Sequence, residues 1–250
     1  MKKIFTDFRS ALMFITIIPA GKNVAYSPVG MIKFFPVVGL VIGALLCAFD
    51  ICVSALWTPG CASVLDVVFL AAVTGAFHLD GLGDTADGIF SHRSRQRALE
   101  IMKDSRTGMM GLVAVVCVLA VKTAGLYCMK TGTSPVMTAI FLLIIPAYSR
   151  SSMVFGIRYL DYGRQNTGTG LDLFKEKLGI GDFAFMALPF VVSMFTGYRA
   201  VILNFVFFLT LVFIIRFYKK TLDCVTGDML GAMNEVMEAV LLLAAGAHIL

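Results

Sequence analysis

Several stretches of this chain are apolar over roughly 17 to 24 residues, long enough for a helix to cross about 30 Å of hydrocarbon. They begin near Lys33, Ala62, Gly108, Ser134, Ile180, Tyr198 and Met229. The pattern predicts an all-α, polytopic membrane bundle of about seven transmembrane helices. Pro189 interrupts the fifth stretch and the sixth begins close behind it at Gly197 and Tyr198, so those two alternatively read as one re-entrant hairpin. Near the start, Phe5, Phe8, Leu12 and Ile15 recur at roughly helical spacing beside Lys2, Lys3 and Arg9. That predicts, over residues 1–20, either an interfacial helix on anionic headgroups or a helix packed on the bundle. The same segment has scattered charge and is ended by Pro19, which is unlike a cleavable signal peptide.

Composition agrees with the pattern. Hydrophobic residues make up 58% and charged residues 15% of 250, and the mean hydropathy is +0.86, outside the balance of soluble domains. Numbering the connections in turn puts 17 of the 21 basic residues on one side, with Lys130 and Arg199 on the other. Cytoplasmic loops carry such an excess, so the N-terminus is expected in the cytoplasm, together with every long polar connection. No C-x-x-C pair occurs among the six cysteines, and neither disulfides nor zinc are expected. The formal charge of +5 follows from the loop bias, and without a basic and aromatic array no nucleic-acid partner is expected. No internal repeat divides the chain, so residues 1–250 read as one integral membrane domain embedded in the lipid bilayer.

The chemistry concentrates in HLDGLGDTADG, His78 to Gly88. If the second membrane helix continues past His78, then Asp80, Asp84 and Asp87 stand at i, i+4 and i+7, within about 60° of arc. Like charges that close are relieved by a raised pKa or by a divalent cation, and hard carboxylate oxygens suit Mg²⁺ or Mn²⁺. Gly81, Gly83 and Gly88 permit close approach of a bulky ligand to the backbone. Downstream, KDSRTG supplies Lys103 and Arg106 as phosphate clamps and Asp104 as a further metal ligand, or, read alone, positive-inside anchors. His78 is a candidate general base near neutral pH, or a histidine that only hydrogen-bonds.

A second polar cluster opens the last apolar run. Asp228, Glu235 and Glu238 share a stripe with Gly231, and Asn234 lies on its flank. Carboxylates that deep need a cavity or cationic partners, and Arg150 is the candidate partner. GRQNTGTG, Gly163 to Gly170, has glycines and hydroxyls that suit phosphate binding, but it lacks the P-loop lysine and reads more readily as a flexible linker.

Taken together, FRSALMFITIIPA, FFPVVGLVIG, FHLDGLGDTADG, ALEIMKDSRTGMMG and VTGDMLGAMNE resemble the cobalamin synthase family, the adenosylcobinamide-GDP ribazoletransferases. Between Arg150 and Phe174 the chain departs from that family's R-x-x-G-L-G pattern. The resemblance implies a multi-pass enzyme of the bacterial inner membrane that uses Mg²⁺. It would join adenosylcobinamide-GDP to α-ribazole or its 5′-phosphate, yielding adenosylcobalamin or its 5′-phosphate and GMP. It further implies a metal on Asp80, Asp84 and Asp87, with Asp104, Asp228 or Glu235 completing a second site or orienting the hydroxyl. Lys103 and Arg106 would stabilise phosphate oxygens, and Arg93, Arg150, Arg164, Asn234 and Glu238 are candidate substrate contacts. Association with other enzymes of cobamide assembly is implied in the same way.

Two other readings share parts of the pattern. Asp84 to Gly88 matches the D-x-x-D-G core of CDP-alcohol phosphatidyltransferases, although Ser91 and His92 stand where the following A-R pair belongs. A cation-coupled transporter would use the same carboxylates on an ion path, but its polar residues would be spread through several helices.

Overall fold

The computed structural model describes residues 2–22, 24–164 and 170–247, which form eleven α-helices and short 3-10 turns with no β-strand among them. They are α1 Lys2–Ile15, α2 Pro28–Ile32, α3 Phe35–Leu56, α4 Pro59–Val73, α5 Phe77–Ile89, α6 Arg95–Ile101, α7 Met109–Gly132, α8 Pro135–Tyr159, α9 Ala187–Ser193, α10 Tyr198–Thr221 and α11 Gly227–Ala245. Proline opens α2, α4 and α8 in their first turns, where its missing N–H removes nothing from the helix. Ser134 and Thr226 cap α8 and α11 by accepting the backbone N–H of Met137 and Met229.

Four helices are long and apolar enough to span a membrane: α3, α7, α8 and α10. The remaining three apolar stretches depart from straight crossings, each for its own reason. The second breaks into α4 and α5, whose axes differ by 89°. Gly75 and Ala76 both sit in the left-handed region, at φ 59° and 57°, and two such residues in succession end one helix and redirect the next. The acidic motif therefore occupies a separate helix and does not continue the second membrane helix. The fifth stretch, Ile180–Thr196, is a shorter composite of 3-10 and α segments, and the last, α11, carries Asp228, Glu235 and Glu238 through the centre of the bundle.

Close packing depends on small residues at the crossings. At Gly39 and Gly43 of α3, an added Cβ would lie 2.4 Å from Ala147 Cα and 2.1 Å from Leu143 O of α8, so two glycines one turn apart let those backbones touch. Gly81 of α5 meets the Asp228 backbone of α11 in the same way, with only 2.7 Å between such a Cβ and Asp228 O. Helix α1 divides its behaviour: Leu12 and Ile15 are buried while Ile4 and Phe5 stay exposed. Buried Asp7 ties α1 to Ser27 at 2.6 Å and to Lys33 at 3.6 Å. Its C-terminal half is thus packed on the bundle and its N-terminal half presents apolar side chains outward.

Candidate active site

The acidic stripe forms as the helical spacing predicts, but the structure gives each carboxylate a different environment. Asp80 is exposed and Asp84 half-buried, and among the described residues neither makes a hydrogen bond or salt bridge. Around Asp84 the charges are Asp80, Asp228 and Asp87, opposed by Arg164. Asp87 is taken up differently: Oδ2 accepts the backbone N–H of Gly108 at 2.6 Å and Oδ1 that of Gly111 at 2.8 Å. Those N–H groups belong to the start of α7, so Asp87 caps a helix from outside it.

Arg164 reaches this site because the chain leaving α8 pairs with the chain entering α11. Gly163 donates to Val225 O and Val225 donates to Asp161 O, each at 2.9 Å. That two-bond clamp sets Arg164 against the Asp228 carboxylate and the Met102 carbonyl, the latter at 3.3 Å. The segment 165–169, which holds most of GRQNTGTG, lies outside the described residues.

The glycines of the motif do not open room for a ligand, as the sequence suggested. Gly81 faces α11, and Gly88 would clash with Met102 at 2.5 Å if it carried a Cβ, so both serve helix packing. Gly83 alone meets nothing closer than 3.8 Å.

Beside the acidic helix, a cavity of about 590 Å³ is lined by Arg95, Gln96, Leu99 and Glu100 of α6, with Lys103 and Arg164. Lys103 therefore faces a basic hollow, as its proposed clamp role requires. Arg106 does not: it is exposed and forms a forked pair with Asp104, Nη2 to Oδ2 at 2.6 Å and Nε to Oδ1 at 3.0 Å. Its guanidinium holds the Asp104 carboxyl down at about 2. Asp104 and Arg106 thus satisfy each other in the loop before α7. Arg93 is exposed in the loop between α5 and α6, its N–H on Ser91 Oγ at 3.3 Å.

The deep polar residues form one connected network, in which His78 Nε2, Arg150 Nε and Asn234 Oδ1 have no partner among the described residues. Lys122 of α7 donates to Glu235 at 2.6 Å and Glu238 at 2.8 Å; Glu238 also receives Arg150 and, at 3.1 Å, Ser149 of α8. Asn234 donates to Glu235 at 3.4 Å and to Nδ1 of His78 at 3.2 Å. Two cations meet two carboxylates, so the network is neutral, which is what burial requires. All seven side chains are buried. A general base must come within hydrogen-bond reach of the proton it takes; His78 and Glu235, like Arg150, Asn234 and Glu238, are buried inside this network. The pairing of Arg150 with Glu238 of α11 agrees with the sequence reading. Lys122 was missed, although a lone lysine inside an apolar run is itself a sign of a buried partner. Arg95, Gln96 and Glu100 were not singled out either, although ALEIMKDSRTGMMG begins inside α6.

Among the described residues, no three His, Cys, Asp or Glu side chains converge into a metal cage. The donor chemistry nevertheless fits a hard cation. Mg²⁺ is commonly held by one or two carboxylates plus substrate phosphates, and Asp80 and Asp84 are two carboxylates without partners among the described residues.

Comparison with known proteins converges on one family. The model of the cobalamin-5-phosphate synthase family matches residues 7–246. Curated relatives named adenosylcobinamide-GDP ribazoletransferase include one from Roseiflexus sp. (strain RS-1), 37% identical over 95% of this chain and 88% of the relative. Another, from Thermoanaerobacter sp. (strain X514), is 35% identical over 84% of each chain, and a third, from Desulforamulus reducens, is 34% identical over 94% of each. No solved structure matches the chain.

Proposed function

This chain belongs to the cobalamin-5-phosphate synthase family, and from that premise we propose how its acidic helix and basic cavity divide the work of the reaction. The chain transfers adenosylcobinamide phosphate from adenosylcobinamide-GDP to α-ribazole or its 5′-phosphate, completing the nucleotide loop of vitamin B12. That assignment displaces the CDP-alcohol transferase and transporter readings.

The observation that carries the mechanism is Asp84, half-buried among like charges and opposed by Arg164, which also lines the cavity that holds Arg95 and Lys103. In the transfer, the ribazole hydroxyl oxygen forms a bond to the phosphorus attached to cobinamide, the bond from that phosphorus to the GMP oxygen breaks, and the hydroxyl proton passes to water. Lys103 and Arg164 neutralise the phosphate oxygens, acting through position and charge, as phosphoryl transfer requires. Asp228 holds Arg164 in place. Asp80 and Asp84 would hold Mg²⁺, which would supply charge neutralisation for the pyrophosphate and the departing GMP. His78, Asn234, Glu235, Glu238 and Arg150 act behind this site by fixing α5, α8 and α11 to one another.

These groups gather where α5, α6, the start of α7, the exit of α8 and the start of α11 meet, the end of the bundle with most of the basic loops. By the charge bias of cytoplasmic loops, we place that end in the cytoplasm and the protein in the bacterial inner membrane.

The test uses purified protein in detergent or liposomes with adenosylcobinamide-GDP and α-ribazole, with Mg²⁺ and then with chelator. Coupled appearance of GMP and cobamide, lost on chelation and restored by Mg²⁺, is expected. Folded protein that releases neither product would overturn the assignment, and turnover unaffected by chelator would remove the metal.

A further inference from the structure

We propose that the α6 cavity is the guanine-nucleotide subsite, and that Glu100 and Gln96 read the base while Arg95, Lys103 and Arg164 hold the phosphates. This inference rests on the reaction assigned above and deepens it by naming what selects the leaving nucleotide.

Three observations converge. First, the cavity measures about 590 Å³, within the roughly 300–1,000 Å³ range of small-molecule sites, so a mononucleotide fits. Second, its charge is graded. Arg164, anchored to Asp228, adjoins the acidic helix where the scissile phosphate must lie, and Lys103 follows directly on α6. Third, α6 aligns a mixed set of groups: Arg95, Gln96, Leu99 and Glu100 all face the same hollow. Basic residues alone would suit any phosphate. A carboxylate among them is unfavourable for an anion, unless it meets donors on the far end of the ligand.

Guanine offers those donors. Its N1–H and 2-amino group lie side by side and match the two oxygens of a carboxylate, while its O6 and N7 accept hydrogen bonds. Glu100 is held by Arg97, Nη1 to Oε2 at 2.7 Å, and Oε1 has no partner among the described residues. Gln96, one turn back on α6, carries the amide N–H₂ that suits O6 or N7. Leu99 between them is an apolar surface for the ring. Adenine reverses the donor and acceptor order on the edge that Glu100 would face, so a carboxylate there rejects it.

The experiment measures inhibition of cobamide formation by GMP, IMP and AMP, and binding of the three by titration calorimetry on the detergent-held protein. Wild-type protein is expected to bind GMP about tenfold or more tightly than IMP, which lacks the 2-amino group, and than AMP, in keeping with one lost charge-assisted bond. Glu100→Gln should bring GMP down to the level of IMP and leave AMP where it was. Equal binding of GMP, IMP and AMP by wild-type protein that still makes cobamide would overturn the guanine subsite and leave the reaction intact. Folded wild-type protein that makes no cobamide would instead overturn the reaction itself. Should Glu100→Gln fail to fold, the wild-type comparison of GMP with IMP decides the matter alone.

Discussion

Asp87, in the last turn of α5, accepts the backbone N–H of Gly108 at 2.6 Å, so a residue of the acidic motif is also the cap of α7. The same carboxylate takes the Gly111 N–H at 2.8 Å. One side chain thereby couples the acidic helix to the KDSRTG loop that leads into α7, and fixes where Lys103 stands relative to Asp84.

Replacing that cap should loosen both elements. Asp87→Ala is expected to cost about 2 kcal/mol, the scale of a lost charged hydrogen bond and helix cap, and to lower activity by displacing the loop. Thermal unfolding in detergent checks the first effect. Unchanged melting would mean that α7 starts without help from Asp87.

Asp84→Ala should behave in the opposite manner. Since no described residue bonds to Asp84, melting and membrane insertion should stay near wild type while turnover falls by about 100-fold or more, the usual cost of losing a preorganised charge. Activity close to wild type would take Asp84 out of the reacting centre.

Lys122 is the shared cation of Glu235 and Glu238. Lys122→Met leaves buried negative charge without its partner and should destabilise by about 3–5 kcal/mol. Adding Glu235→Gln should recover part of the loss, because it restores neutrality. If the double variant melts no higher than Lys122→Met alone, the network is not held by charge balance.

The α3–α8 crossing is sensitive to single methyl groups. Gly43→Ala places a Cβ 2.1 Å from the Leu143 carbonyl oxygen, and overpacking of that kind costs about 1–3 kcal/mol. Gly60→Ala, with nothing within 4 Å, is the matched control and should melt like wild type. Equal melting of the two variants would show that the helices separate at no cost.

Much of this architecture was legible in the linear chain. Apolar runs of spanning length dictate helices, because a backbone in hydrocarbon must satisfy its own hydrogen bonds. The spacing of Asp80, Asp84 and Asp87 dictates a common stripe, because helical geometry is local. The depth of Glu235 and Glu238 called for cationic partners, and Arg150 is one of them. These inferences needed only length, period and the cost of burying charge.

Other features depend on which segments meet in space. Two left-handed residues, Gly75 and Ala76, turn what reads as one apolar run into α4 and α5 at 89°. Gly81 looks like space for a ligand until α11 is packed against it. His78 looks like a base until Asn234 and Gly231 bury it. The cavity on α6 is completed by Gly163 and Arg164, which the backbone pairing of Gly163 with Val225 brings to the same hollow as Lys103. The sequence by itself determined an all-helical membrane protein and its acidic stripe, since those rest on local periodicity and hydropathy, and its motifs carried the resemblance to the family. Tertiary structure decided which carboxylates remain without partners and which are caps or buried ion pairs, since a side chain's role follows from neighbours that lie 20 to more than 150 residues away in the chain.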